Sequence, residues 1–191
     1  MHGAEDGMGT QPIFRTRRLI LRPRSAGDIP ACLAMDRAAG VLDYIQLPQM
    51  DEDSHRRFID SRTRGPWPEG MGYWSIFGTG APTAFLGWVL LIPEDAQGPE
   101  IEIGWRLRPE AWGRGIATEA ASALLTHAFG TLGLERVSAV IHADNIASQR
   151  VATKIGMRLS HSCTRDGRTG RLFLMMRQAF GQAQDAPSAA V

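Results

Sequence analysis

The sequence predicts an α+β fold built on a mixed α/β sheet, and three observations carry that expectation. Three successive apolar segments of strand length run from Tyr73 to Phe77, Ala84 to Ile92 and Glu100 to Leu107; the turn-forming run Gly78-Thr79-Gly80-Ala81-Pro82 joins the first two as a hairpin, so antiparallel pairing is expected there. The last of these strands is followed by a glycine-punctuated turn, an Ala-rich helix and a further strand, an order that calls for a β-α-β crossover. A chain of 191 residues with 43% hydrophobic and 21% charged residues is long enough to bury a sizeable core. One domain over 12–178 is expected, with flexible tails at 1–11 and 181–191, where periodicity and bulky core residues are lacking.

The elements follow from local pattern. Ile13 to Arg22 alternates loosely and stops at Pro23, as a first strand would. Asp28 is placed to cap a helix through Ala38, with Pro30 tolerated in its first turn and Ile29, Cys32 and Leu33 facing inward. A second helix is expected over 51–64, because Asp51, Glu52 and Asp53 put negative charge at its positive end. The Ala-rich helix spans Ala117 to Phe129, with Ala117, Ala121, Leu124, Leu125 and Ala128 on one face. Val137 to His142 is a strand and Ile146 to Ile155 a short helix; two last strands, Met157 to Ser162 and Arg171 to Arg177, flank a hairpin tip at Arg165-Asp166-Gly167.

Composition removes several function classes. A formal net charge of +1 argues against a broad nucleic-acid surface, and no run of about twenty apolar residues suggests a membrane span. The N-terminus lacks the basic and apolar regions of a signal peptide, so a cytoplasmic location is expected. Cys32 and Cys163 are too few for a disulfide framework and read as free thiols. The five histidines form no HExxH or other metal spacing, so no metal is expected. Neither nucleic acid nor membrane is anticipated as a partner, and monomer or homodimer remain open.

The most informative stretch is Pro109-Glu110-Ala111-Trp112-Gly113-Arg114-Gly115-Ile116-Ala117-Thr118. Two glycines allow a backbone to approach an anion closely, Arg114 adds positive charge, and the helix that follows offers unpaired N–H groups at its N-terminus. A tight turn opening a helix, with nothing bound, accounts for the same residues. No GxxxxGK[ST] occurs, and the third glycine of a dinucleotide fingerprint is missing, so P-loop and Rossmann readings are poor.

This stretch resembles the acyl-CoA pyrophosphate loop of the GNAT acetyltransferase superfamily, [Q/R]-x-x-G-x-[G/A], with Trp112-Gly113-Arg114-Gly115-Ile116-Ala117 in register. Trp112 departs from the usual first residue in the manner of the branch containing the ribosomal-protein N-terminal acetyltransferases. Thr16-Arg17-Arg18-Leu19-Ile20-Leu21-Arg22-Pro23, Glu102-Ile103-Gly104-Trp105, Asn145-Ile146-Ala147-Ser148 and Lys154-Ile155-Gly156-Met157 resemble that branch in the same order, so the likeness covers residues 14 to about 177. It implies a GNAT-like acyl-CoA N-acyltransferase fold: a mostly antiparallel sheet, splayed between its fourth and fifth strands after a bulge, with flanking helices.

What the resemblance implies about chemistry is direct transfer of an acetyl group from acetyl-CoA to a primary amine, without a covalent enzyme intermediate. Backbone amides of Gly113, Arg114, Gly115, Ile116, Ala117 and Thr118, beside Trp112, would hold the pyrophosphate, and main-chain groups of Trp105, Arg106 and Leu107 the pantetheine arm. Asn145 would contact the pantetheine and Ser148 donate a hydrogen bond to the leaving thiolate, although Asn145 as an N-cap with Ser148 in the first turn explains the same pair. Glu102 is the candidate general base; with Glu100 it lies on the strand face opposite Ile101, Ile103 and Trp105, a pattern that two solvated carboxylates also satisfy. The acceptor is a peptide N-terminal amine or a small amine such as a polyamine or aminoglycoside, which an acidic pocket would favour. A non-catalytic acyl-CoA-binding module is the remaining alternative. The segments 40–70 and 165–170 would shape the acceptor site.

Overall fold

A computed structural model describes residues 11–45, 51–165 and 167–185. The chain forms β1 (Phe14–Arg15), β2 (Leu19–Pro23), α1 (Ile29–Asp36), α2 (Glu52–Arg64), β3 (Gly72–Gly78), β4 (Ala81–Pro93), β5 (Ile101–Leu107), α3 (Ile116–Gly130), β6 (Arg136–His142), α4 (Ile146–Lys154), β7 (Arg158–Arg165), β8 (Arg168–Met176) and α5 (Arg177–Asp185). Eight strands make one sheet in the order β1-β2-β3-β4-β5-β6-β8-β7, antiparallel except for β5 beside β6. The mixed sheet with flanking helices is therefore the architecture that the strand and helix periodicities predict.

Alternation along the central strands sorts the core into two layers. Trp74 and Ile76 of β3, Val89 and Leu91 of β4 and Ile103 of β5 face α3, whose Ala117, Ala120, Ala121, Leu124, Leu125 and Ala128 are all buried. Small side chains let this helix approach the sheet, and each buried leucine contributes about 1.5–3 kcal/mol. Tyr73 and Phe77 with Trp88, Leu90 and Ile92 point the other way, onto Ile29, Cys32 and Leu33 of α1 and Ile59 of α2. Buried on both faces, β3 is covered along its length rather than alternately, and its buried Ser75 hydroxyl is satisfied by Asp28.

Several boundaries differ from the expected ones for identifiable reasons. The first predicted strand is divided into β1 and β2, because Glu119 of α3 accepts hydrogen bonds from Thr16 Oγ1 at 2.6 Å and the Arg18 amide at 2.9 Å and pins a turn there. Asp28 stands at the N-cap of α1 without a side-chain capping bond; its carboxylate instead receives Arg22, Ser25 and Ser75. The final strand ends at Met176, and residues 177–185 form α5, whose last part, 181–185, falls in the segment expected to be a flexible tail; Phe180 packs on Phe129 in a tilted pair with ring centroids 5.1 Å apart. At the other end Gln11 Nε2 donates to the Tyr73 carbonyl at 3.2 Å. The remaining tail residues, 1–10 and 186–191, and the hairpin-tip residue Asp166 lie outside the described residues. Among those described, no helix is long and apolar enough to cross a membrane.

The divergence in the sheet falls between the predicted fourth and fifth strands, which are β5 and β6. Their parallel register holds at Glu102↔Ser138, with Ser138 Oγ donating to the Ile101 carbonyl at 3.2 Å. No bulge precedes it, since the β4–β5 ladder runs regularly from Pro93↔Ile101 to Gly87↔Leu107. The register shift lies instead between β3 and β4, where Ile76 faces Gly87 and Phe77 faces Phe85. At Gly87, with φ +145°, a Cβ would sit 2.2 Å from the Arg106 carbonyl, so the close approach of β5 requires glycine.

Candidate active site

Past that one registered pair, β5 and β6 leave between them a cavity of about 430 Å³, lined by Ile103 to Arg106 on one side and Ala139 to His142 on the other. Pleat geometry decides what enters it. Glu102 and Arg106 share the face of β5 that carries Gly104 between them, toward α1 and α2, and a Cβ on Gly104 would meet Leu90 at 3.2 Å. Ser148 and Asn145, from the start of α4, line the cavity from the β6 side. Thus Glu102, Trp105, Arg106, Asn145 and Ser148, scattered over 47 residue positions, converge on one space. Glu100 does not join them: it pairs with Arg136, whose Nε lies 2.6 Å from Glu100 Oε2.

The glycine turn follows the C-terminal end of β5, and none of its residues, Trp112 to Thr118, is among those that line this cavity. A short 3₁₀ turn over Pro109–Ala111 leads to Gly113 and Gly115, both left-handed at φ +68° and +72°, and Gly115 is the N-cap of α3. The amides of Gly113, Arg114 and Gly115 donate no hydrogen bond among the described residues. Ile116 and Ala117 turn their side chains into the core, so their contribution to any ligand is the N–H of the first helical turn. No protein atom lies within 4 Å of a Cβ added to Gly113. Unpaired amides around open space, at the positive end of a 15-residue helix, fit a pyrophosphate.

Other side chains hold this turn in shape. Arg18 pairs with Glu119 at 2.6 Å and donates to the Arg114 carbonyl at 3.0 Å, tying the loop to the β1–β2 turn. Burial alone would raise the Glu119 carboxyl, but hydrogen bonds from Thr16 and Arg18 outweigh it and hold that group below its ordinary value. Trp112 is 46% exposed; its Nε1 donates to the Leu107 carbonyl at 2.9 Å and its ring covers Gly40. Leu107 is buried, with its carbonyl engaged by that indole, and it does not line the cavity.

Asn145 Oδ1 accepts the Ser148 amide at 3.0 Å, so the capping arrangement is present, and both residues also face the cavity. Across the gap, Tyr44 packs against His142 in a tilted pair with ring centroids 5.4 Å apart, which brings Tyr44 and Ile45, after α1, to the cavity wall. Residues 46–50 of that connection lie outside the described residues. Tyr44, Phe58 and Arg62 from the expected 40–70 segment do line the cavity, as do Arg168 and Thr169 from the 165–170 segment.

The charged lining could not be read from sequence spacing. Arg106 Nη1 donates at 2.8 Å to Asp36, which is 3% exposed and also meets His55 Nε2 at 3.1 Å, while the Arg106 guanidinium rests 4.9 Å from the Trp88 ring. Arg24, 7% exposed, donates to Thr63 Oγ1 at 2.9 Å and lies 3.9 Å over the Tyr73 ring; burial lowers its pKa from the ordinary value. Partners so far apart in the chain, joined only by packing of α1 and α2 on the sheet, leave no local motif.

Comparison with known proteins agrees with this geometry. Residues 18–158 match the acetyltransferase (GNAT) domain family. The uncharacterized N-acetyltransferase YoaA of Bacillus subtilis (strain 168) is 31% identical over 148 residues, 76% of this chain and 82% of that protein. The acetyltransferase structure from Agrobacterium tumefaciens str. C58 superposes with a TM-score of 0.74 at 28% identity, covering 91% of this chain and 99% of that one. The spermidine N-acetyltransferase from Vibrio cholerae, in complex with CoA and spermine, shares the fold with a TM-score of 0.71 at 14% identity over 86% of this chain and 99% of its own. A diverging parallel strand pair, a glycine turn of unpaired amides beside it and a family match over most of the length lead to one conclusion: this chain is an acetyltransferase of the GNAT domain family.

Proposed function

We propose that the chain moves an acetyl group from acetyl-CoA directly to an α-amino group, as at a protein N-terminus or on a small molecule, in a reducing compartment such as the cytoplasm. The observation that carries this reading is that Glu102 and Ser148 line one cavity from opposite sides of the β5–β6 gap, while β5 leads into a turn whose Gly113, Arg114 and Gly115 amides have no internal acceptor. Acetyl-CoA supplies an activated acyl thioester; the amides from Gly113 to Thr118 hold its pyrophosphate, and the edge of β5 around Trp105 aligns its arm. Glu102 takes the proton that the attacking amine must lose as the C–N bond forms and the C–S bond breaks. Ser148 donates a hydrogen bond toward the departing sulfur, and Asn145 fixes the turn that presents it. An α-amino group, of pKa about 8, is partly neutral at physiological pH and asks little of this base, whereas a lysine amine near ~10.4 asks more.

The Trp112-Gly113-Arg114-Gly115 form supports placing the chain near the ribosomal-protein N-terminal acetyltransferase branch. Among the described lining residues, four arginines against one glutamate speak against a polyamine or aminoglycoside acceptor. Release of free thiol from acetyl-CoA across peptides, amino acids and polyamines tests the reading. Glu102→Gln should lower kcat/KM by about a hundredfold or more. Binding of acetyl-CoA with no thiol release from any amine would leave a non-catalytic binding module in its place.

A further inference from the structure

We propose that the acceptor is a free α-amino acid with an apolar or aromatic side chain, its carboxylate held by Arg24 and Arg62. The inference rests on the acetyl-transfer reading above and names the substrate that the same cavity selects. Arg24, Arg62, Arg106 and Arg168 line the cavity, and Glu102 is the one acid among the described lining residues. Arg106 is matched by Asp36. Arg24 and Arg62 have no carboxylate within pairing distance among the described residues, and aromatic rings support both: Tyr73 at 3.9 Å and Phe58 at 5.4 Å.

A buried guanidinium without an anion is costly, because desolvation disfavours its charge; it is stable here through neutral acceptors, Thr63 Oγ1 at 2.9 Å and the Ile59 carbonyl at 3.5 Å. The planar, always-charged fork of arginine suits a carboxylate in two-point contact. Arg24 and Arg62 both line the cavity and both act on the Tyr73 hydroxyl, which places the two guanidinium groups at one patch of the wall.

Both signs of charge face one cavity. Tyr73 under Arg24 belongs to β3 and Glu102 to β5, two strands away and two residues along from Gly104, which is in register with Tyr73 through Leu90; the Tyr73 hydroxyl senses Glu102 as well as Arg24 and Arg62. A zwitterion with its ammonium at Glu102 and its carboxylate at the arginines spans about 9 Å, counting one hydrogen bond of about 2.8 Å at each end. Phe58, Tyr73 and Trp88 line the space between, which an apolar side chain can occupy. A peptide N-terminus has no carboxylate beside its amine, and a polyamine would place ammonium groups against arginines.

The test compares L-phenylalanine and L-methionine with their amides, their decarboxylated amines, peptides beginning with the same residues, and spermidine. In the parent enzyme kcat/KM for the amino acid should exceed that for its amide by about tenfold or more, the range of a charge-assisted hydrogen bond. Arg24→Gln should pull that ratio toward one while the Kd for acetyl-CoA stays within about twofold; Arg62→Gln, on a half-buried side chain, gives the same readout if the first variant folds poorly. Parity or preference for the amide, the decarboxylated amine, the peptide or spermidine overturns the proposal. Calorimetry of the CoA-loaded protein with N-acetyl-phenylalanine and its amide decides the anion site independently of turnover. A binding preference without turnover supports the carboxylate site and refutes acetyl transfer, whereas equal binding refutes the carboxylate site itself.

Discussion

Substitution of Gly115 separates backbone geometry from charge at the proposed pyrophosphate turn. Gly115 is left-handed at φ +72°, and a Cβ there would lie 3.3 Å from Arg18 Nη2, the mobile end of a side chain that also holds Glu119 and the Arg114 carbonyl. Gly115→Ala should therefore cost about 1–2 kcal/mol in backbone strain, with the Arg18 tip displaced by a few tenths of an ångström. For a domain of this size the melting temperature falls by roughly 2–8 °C. Gly115→Glu adds a carboxylate; at about 4 Å from a phosphate charge and an effective dielectric constant near 20, repulsion is about 4 kcal/mol, or close to a thousandfold in Kd. The neighbouring Arg18 guanidinium offsets part of this, so a loss of about a hundredfold or more is expected. Calorimetry with acetyl-CoA and with acetyl-pantetheine, which lacks the pyrophosphate, is the assay. The Glu variant should lose affinity for the first ligand and far less for the second. A Kd for acetyl-CoA within about twofold of the parent, in a variant whose melting temperature confirms folding, refutes the assignment of the turn.

Three other expectations follow from the same geometry. Ser148→Ala should lower kcat more than it raises the KM for acetyl-CoA and leave stability nearly unchanged, since the cap uses the Ser148 amide and not its hydroxyl; Asn145→Ala, in contrast, should cost about 1 kcal/mol in urea unfolding. Burial alone would raise the Asp28 carboxyl, but Arg22, the Ser25 amide and Ser75 hold it below its ordinary value, so its contribution is complete above pH ~4 and fades as pH falls through the folded-state pKa. The stability gap between parent and Asp28→Asn in urea melts should be about 1–3 kcal/mol near neutrality and shrink toward pH 3; a gap independent of pH contradicts this. Cys32, 1% exposed, has its thiol pushed up to about 11 by burial, so a thiol reagent at pH 8 should titrate Cys163 in the native protein and both cysteines after denaturation.

Much of the fold was legible because its signals are local. The Ala117 to Ala128 face, the hairpin run at Gly78 to Pro82 and Asp51 before α2 each act through neighbours within a turn or two, and the Ser54 amide does donate to Asp51 at 2.7 Å. The glycine turn was legible for the same reason, since left-handed backbone at Gly113 and Gly115 is a property of those residues. Helix α5 was not: Gly181 weakens the pattern, and Phe180 finds its partner, Phe129, in another helix.

The charged character of the acceptor side came from elsewhere. Asp36 meeting Arg106 and His55, Arg24 lying on Tyr73, and Arg62 facing the same space require α1 and α2 to pack on one sheet face and β5 to leave β6 after a single register pair. Backbone preferences are encoded within a few residues and can be read one segment at a time. The sign of the charge in a cavity depends on which distant side chains share it, and that is settled when the two helices close over the strands.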